Sequence, residues 1–375
     1  QIYIILSGIP TALSSSLLAS AMQEMKKQFP DKSQTEIKQL NSLPSLLISI
    51  TAPVTMILLH KLLKKYKIVL FIDLILFSLI GFLPALFYSD YTAILVLRVL
   101  LGIFCGISEP FSLSLINKNY FQPSFFGYRA TAMSFISLLF NICGGLMVDG
   151  ICWYSLFYVY LFGVLLAVLV LVTNTNETNY EKIQIQAQPI KSTRQITIQL
   201  LPAFTTAFFS QIAYFIIPSS ISFKLKQLDI KDAFKSGLAT GLSMFFNGFA
   251  SLFYKNVLKF CKGQLNLACI SAFTSSIFMV LFAFADQYWQ VCVTVSLCGL
   301  FFGNMLANYN SWVGSIHQSP ISMGVSTFCT FFSHFLTPYV YSFSDETWNI
   351  FASGITMFLL SVGLCLLVMQ KKNEK

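Results

Sequence analysis

Three ionisable residues lie inside otherwise apolar stretches of the chain: Asp73, Arg98 and Glu109. A charge in hydrocarbon costs several kcal/mol unless it meets a partner or a water-filled cavity, so each is a candidate for chemistry. Arg98 and Glu109 are eleven residues apart. On a helix that is about three turns and about 16 Å, which puts them on one face, too far apart to pair but able to line one route. A carboxylate in low dielectric can take up and release a proton, so Glu109 reads as a proton-coupling carrier; next to Pro110 it has the alternative of satisfying a neighbouring backbone group. Asp73 lies about two turns into its apolar run, close to Lys61, Lys64, Lys65 and Lys67, and reads as a gating or structural partner for Lys64 or Lys67. Among uncharged polar residues, Gln211 and Tyr214 share a helix face at i, i+3, and Asn304 and Asn308 at i, i+4. Such residues either bind a solute or tie helices together, at about 0.6 kcal/mol per contact. His60, His317 and His334 are isolated, and the nine cysteines occur singly with no C-x-x-C pair. No metal site, cofactor or nucleophilic triad is expected from them, and the cysteines read as packing residues.

The elements that hold these residues follow from composition. Of 375 residues, 55% are apolar and only 10% charged, with a mean hydropathy of +0.70. A soluble domain carries about 25% charged residues. The reading is an all-α integral membrane protein with roughly twelve spans of about 20 residues each, leaving no room for a soluble catalytic domain. The apolar runs cover about 1–21, 43–60, 68–88, 91–115, 128–148 and 152–173, then 197–218, 236–254, 264–284, 288–312, 319–342 and 347–370. No P-loop or glycine-rich nucleotide clamp accompanies them, which argues against ATP-driven pumping and against an enzyme.

The net charge of +9 is a topology signal before it is a polyanion site. With spans alternating, Lys61, Lys64, Lys65, Lys67, Arg129, Lys255, Lys259 and the tail lysines fall on one face. The short turns on the other face carry Asp90, Asp149, Asp286, Asp345 and Glu346. Positively charged loops stay in the cytoplasm, so both termini are expected there, in a multi-pass plasma (inner) membrane protein. The run from residue 2 suits a first span better than a cleavable leader. Membrane lipid is the expected surround, nucleic acid is not an expected partner, and the chain is read as a monomer.

Domain organisation is legible as two six-helix bundles, 1–173 and 196–375, joined by a polar cytoplasmic connector at 174–195. A weak repeat supports the division. Lys61-Leu-Leu-Lys64-Lys65-Tyr-Lys67 follows the second span, and Lys255-Asn-Val-Leu-Lys259-Phe-Cys-Lys262 follows the eighth. Asp149 with Trp153 and Phe157 precedes the sixth, and Asp345 with Trp348 and Phe351 precedes the twelfth.

Here the chain resembles the major facilitator superfamily, whose two six-helix halves are parallel repeats about a central site. The most specific segment is Leu97-Arg98 through Gly102 and Gly106 to Glu109-Pro110. Next comes Phe126-Gly127-Tyr128-Arg129-Ala130, then Gly144-Gly145. Pro218, taken as the end of span seven, and His334-Phe-Leu-Thr-Pro338 look like the bacterial drug-and-metabolite branch. The family's glycine and acid between spans two and three are missing, although the cations remain, and so is the span-five proline of its antiporters.

The resemblance implies that spans one, four, seven and ten border a cavity. Arg98, Gln211, Tyr214, Asn304 and Asn308 then become candidate substrate-binding residues, with Arg98 alternatively a brace on helix ends. It also implies gating or structural roles for Asp73, Lys61, Lys64, Lys65 and Arg129. The function it implies is secondary active transport of a small organic solute by alternating access, coupled to protons. With 38 Phe offering aromatic walls, efflux of metabolite-, drug- or siderophore-like compounds is favoured. Proton-linked nutrient uptake and a non-transporting receptor are the alternatives.

Overall fold

A backbone crossing lipid must satisfy its own N–H and C=O groups, and the regular structure of the described residues is helical throughout. The computed structural model describes residues 2–62, 66–119, 123–172, 193–317, 319–343 and 345–373. Lys64, Lys65 and most of the 174–195 connector lie outside the described residues, as does the side chain of Lys61.

In chain order the α-helices are α1 (Ile2–Ser16), α2 (Met22–Gln28), α3 (Gln34–Leu62), α4 (Tyr66–Phe82), α5 (Tyr91–Asn119), α6 (Pro123–Gly150) and α7 (Phe162–Val172). After the connector come α8 (Thr193–Tyr214), α9 (Ile216–Gln227), α10 (Ala233–Leu252), α11 (Tyr254–Phe260), α12 (Gln264–Ala283), α13 (Tyr288–Phe302), α14 (Asn304–Ile316), α15 (Pro320–Val340) and α16 (Glu346–Asn373). Short 3-10 segments, Leu17–Ser20 and Trp153–Leu161, continue α1 and precede α7.

Among the described residues, nine helical stretches are long and apolar enough to cross a bilayer. The first, eighth and eleventh runs of the sequence reading form helices without meeting that test. The first falls short in length, α1 having 15 residues; the polarity of the other two has a packing cause, since α10 lies along α6 and α15 along α3. The buried residues of α10 include Ser236, Thr240, Ser243, Asn247 and Ser251. In α15 the hydroxyls turn back onto their own helix, as Thr327 does to the Met323 carbonyl at 3.0 Å and Thr337 to that of Ser333 at 2.9 Å. A helix can carry such groups when it faces protein rather than lipid. The outward faces are of the opposite kind. Ile57, Leu79, Leu359 and Leu366 are exposed, a surface that suits acyl chains.

Two boundaries differ from the apolar runs. The second span begins at Gln34, nine residues before the run does, because Ser33 and Glu36 form a capping box. The Ser33 amide donates to Glu36 Oε2 at 2.7 Å and the Glu36 amide to Ser33 Oγ at 3.2 Å. Pro218 does not end the seventh span either. The helix breaks at Phe215, and Pro218 sits in the first turn of α9, where a missing N–H breaks no helical bond.

Small residues set the closest approaches. A Cβ on Gly127 or Gly145 of α6, or on Gly237 of α10, would collide with a backbone carbonyl of the opposing helix. Gly102 and Gly106 likewise let α5 meet α3. At one end of the bundle, polar groups join elements before the connector to elements after it. Lys38 Nζ meets Glu346 Oε1 at 2.5 Å and Ser220 Oγ at 3.0 Å. Gln23 Nε2 donates to the Ser222 carbonyl at 2.6 Å. The carboxylate of Asp149 accepts from the amides of Ala233 at 2.9 Å and Phe234 at 2.7 Å. An acid there caps the exposed amides of α10 and meets the positive end of its dipole.

Candidate functional site

A cavity of about 120 Å³ lies between the two sets of helices, room for several waters or a small solute. Its wall before the connector is formed by Thr11, Glu109, Arg129, Met133, Ser134 and Ser137. Its wall after the connector presents Gln211, Tyr214, Phe215, Asn247, Phe302 and His334.

Glu109 and Arg129 form a buried ion pair, Oε1 to Nη2, bringing α5 and α6 together at the cavity. Glu109 is 4% exposed and Arg129 3%, so neither charge is solvated by bulk water. The second carboxylate oxygen, Oε2, lies 2.8 Å from the hydroxyl of Thr11, which is also 2.7 Å from the Gly8 carbonyl. That hydroxyl serves either state of the acid. It donates to an ionised Oε2; it accepts from a protonated Oε2 while giving its own hydrogen to Gly8.

Across the cavity the polar groups form a connected set. Gln211 donates from Nε2 to the Tyr309 hydroxyl at 3.0 Å, and its Oε1 meets His334 Nε2 at 3.0 Å. The His334 ring stacks on Phe215 at 4.3 Å between centroids and meets Phe331 edge-on at 5.5 Å. Its Nδ1 has no hydrogen-bond partner. Tyr214 stacks on Phe302 at 3.9 Å and shares a 2.8 Å hydrogen bond with Ser243. Asn247 reaches both walls, at 3.2 Å from Ser134 Oγ and 3.5 Å from the Tyr214 hydroxyl.

Of the residues expected from sequence, the structure brings Glu109, Arg129, Gln211 and Tyr214 together. Arg98 is the brace of its two alternatives and not a cavity residue. Its guanidinium donates to the carbonyls of Leu40 at 2.8 Å and Ser14 at 2.6 Å and to the Tyr160 hydroxyl at 2.6 Å. Cations suit such carbonyls, and five donors in a fixed fork let one arginine serve several chain segments at once. Asn308 is also structural. Its Nδ2 donates to the Gln264 carbonyl at 2.9 Å and its Oδ1 accepts from Tyr254 at 3.3 Å. Asn304 is buried off the cavity with Oδ1 unpartnered. The α14 residues on the cavity wall are instead Leu306 and Asn310, two positions on and therefore on the far side of the same helix. Asp73 is 3% exposed with neither oxygen hydrogen-bonded, so the expected pairing with Lys67 does not form. The side chains of Lys61, Lys64 and Lys65 lie outside the described residues.

Sequence reasoning missed Thr11, Asn247, Asn310, Thr327, Thr330 and His334 on the cavity wall. A signal existed for three of them: Thr327, Thr330 and His334 recur, with Phe331, at helical spacing on one face of α15. Thr11 and Asn247 carry no such pattern.

A mostly apolar, two-walled cavity with a few polar groups, inside a lipid-solvated helical bundle, is the architecture of a multi-pass membrane protein with room for a small solute. The family model described as Major Facilitator Superfamily matches residues 4–338, and the chain belongs to that family of membrane secondary transporters. No curated relative matches the chain. Among solved structures, it is similar to the xylose transporter XylE from E. coli in a partially occluded inward-open conformation. That match has 12% identity and a TM-score of 0.74, covering 96% of this chain and 95% of the other. It is also similar to a D-xylose-proton symporter at 14% identity and a TM-score of 0.71, covering 97% and 96%. A third similar structure is the proton:xylose symporter XylE bound to 6-bromo-6-deoxy-D-glucose, at 12% identity and a TM-score of 0.70, covering 96% and 93%. At these identities the likeness is one of fold.

Proposed function

We propose that the protein moves a small organic solute through the central cavity by alternating access, with Glu109 as the proton carrier. Two bundles, 1–173 and 196–375, rock about the cavity and expose it to each side in turn. The observation that carries the reading is the Thr11–Glu109–Arg129 arrangement on the cavity wall. A buried carboxylate with a cation on one oxygen and a hydroxyl on the other stays hydrogen-bonded whether or not it holds a proton. That is what a carrier needs in order to load and unload without unfolding its surroundings.

The placement of basic loops supports cytoplasmic termini. In that orientation the end joined by Lys38–Glu346 and Asp149 faces outward and is shut. The titles of the similar structures speak of symport, which at their identity comes to this chain only as a suggestion that solute and proton move together. It displaces the drug-export branch as the preferred reading.

The test is flux in sealed vesicles holding only this protein. Glu109→Gln is expected to abolish uptake driven by a pH gradient while solute counterflow persists. If both survive the substitution, Glu109 has no part in coupling.

A further inference from the structure

From its start beside Asp149 at the joined end of the bundle, α10 runs for 20 residues and carries the chain about 30 Å to the opposite end. There α11 follows after a single residue, and the chain turns back into α12 through Lys262 and Gly263, whose φ angles are 57° and 141°. One face of α11 is pinned to the bundle. Tyr254 is fully buried, and its hydroxyl donates to Asn308 Oδ1 at 3.3 Å. Gly127 brings α6 so close that a Cβ there would meet the Tyr254 Cβ at 3.1 Å. Cys261, two turns beyond Tyr254, is buried on the same side. A helix of seven residues would not hold its shape alone in water, so these contacts fix which of its side chains point away.

Two kinds do. Lys255 and Lys259 share a face at i, i+4, and Lys262 stands at the turn just beyond the helix; all three are exposed. Among the described residues their ammonium groups have no ion pair or hydrogen bond. No acid occurs between Asp232 and Asp286, so α10, α11 and α12 hold no carboxylate to offset them. Beside the lysines, about 100° around the helix from Lys259, is Phe260. At 84% exposed it is the most exposed large apolar side chain among the described residues. Phe253, two turns earlier, is exposed too, and its ring meets that of Phe249 on the outward side of α10 at 5.3 Å. The rule that places basic loops on one side of a membrane accounts for the cations. It does not account for a bare aromatic ring next to them. A short helix with one side on protein, one cationic and one aromatic suits the boundary between acyl chains and headgroups, the ring below and the ammonium groups at the level of the phosphates.

We propose that α11 and the turn after it bind an anionic phospholipid. Lys255, Lys259 and Lys262 hold its headgroup phosphate, and its acyl chains lie along Phe249, Phe253 and Phe260. A zwitterionic lipid carries its own cation beside the phosphate and gains less from three unpaired lysines. A water-borne polyanion has no use for Phe260, and a protein partner would have to displace the lipid that already bathes Phe249 and Phe253. In the orientation proposed above, this end meets the cytoplasmic leaflet, whose surface potential is negative. The site also has a mechanical address. Because α11 touches α6, from before the connector, as well as α12 and α14 from after it, the bound lipid rests where the two sets of helices meet.

The experiment titrates the full chain, in an uncharged detergent, with dioctanoyl phosphatidylglycerol, dioctanoyl phosphatidylcholine and inorganic phosphate, and reads affinity from the shift in the midpoint of thermal unfolding. Phosphatidylglycerol is expected to bind at least about tenfold more tightly than phosphatidylcholine, by a margin that shrinks as salt is raised, and inorganic phosphate to leave the midpoint unchanged. Lys255→Gln, Lys259→Gln and Lys262→Gln each weaken phosphatidylglycerol about fivefold, and together they abolish its advantage. Arginine at all three positions preserves it. Lys371→Gln with Lys372→Gln removes two charges from the tail and leaves the advantage as it was. Phe260→Ser weakens both lipids alike. Equal binding of the two lipids overturns the proposal, as does an advantage that survives loss of all three lysines or falls as far when the tail lysines are replaced. Inorganic phosphate that matches the lipid, or lipid binding indifferent to Phe260→Ser, overturns it by reducing the site to one for a free anion. Should the triple glutamine variant fail to fold, the three single variants carry the same decision.

Discussion

At the scale of single residues, burial alone does not separate a working charge from a structural one. Arg98 and Glu109 are 1% and 4% exposed, share a helix, and meet different surroundings. Arg98 spends its donors on carbonyls of neighbouring segments and on Tyr160, whereas Glu109 faces the cavity. Arg98→Ala therefore removes several charge-assisted hydrogen bonds at once, each worth about 1.5–3 kcal/mol. The expected result is a large loss of thermal stability in detergent, with solute affinity in the surviving folded fraction unchanged. A fall in affinity without a fall in stability would return Arg98 to the binding site. The place of Glu109 at a cavity was legible in the sequence because a carboxylate in an apolar run has few uses. Its pairing with Arg129 was not, since the two lie on different helices and only packing brings them together. Asn304 and Asn308 show the complementary failure: their i, i+4 spacing marks a shared face correctly, but spacing does not say which neighbour that face meets. Arg98 could not be assigned for a related reason, because its partners are main-chain carbonyls, which every sequence has.

At the scale of elements, hydropathy found the helices and missed where they start. The apolar run of α3 opens well after its capping box, because a cap is made by two polar side chains and their amides. Ser33→Ala is expected to cost about 1 kcal/mol, seen as a small drop in the midpoint of thermal unfolding and faster amide exchange over the first turn of α3. Asp345, ahead of α16, has a related role. The Thr347 amide, and after it the Gln227 side chain, hold its carboxyl below the usual range. A group whose pKa is lowered by folding stabilises the native state above its unfolded pKa and loses that contribution as the pH falls through the folded value. Asp345→Asn should therefore lower stability at neutral and alkaline pH and leave it unchanged at low pH, where the contribution is already lost, so that the acid limb of the profile flattens. A profile that keeps its acid limb would show that this carboxylate contributes nothing. α10 and α15, too polar to pass as spans, and α1, too short, were still recognisable from their place in the alternation.

At the scale of the whole molecule, the joined end of the bundle depends on a buried ion pair. Lys38 and Glu346 are 2% exposed each, and Glu346 Oε2 has no hydrogen-bond partner. Removing one member leaves the other buried and uncompensated, which costs about 3–5 kcal/mol, while replacing both by apolar residues of similar volume is often neutral. Lys38→Gln is expected to raise hydrogen exchange over residues 33–42 and 343–350, and Lys38→Met with Glu346→Leu to restore protection. Equal exchange in all three proteins would mean that this pair does not hold the end shut. Lipid as the solvent of the outer surface was legible from composition alone, and the family fold followed from the order of spans. Which end is joined was not legible, because Lys38 and Glu346 are far apart in the chain and read separately as ordinary loop charges.

The line along which α6 meets α10 has a mechanical consequence. Where Gly127, Gly145 and Gly237 bring main chain against main chain, the two rods bear directly on each other, and between those points Ser134 with Asn247 and Phe135 with Phe245 key them together. The friction of the motion is then set by contact along that seam, and a single added methyl there would act as grit. It would slow turnover in both directions alike, while leaving the cargo's grip and the proton's seat as they were.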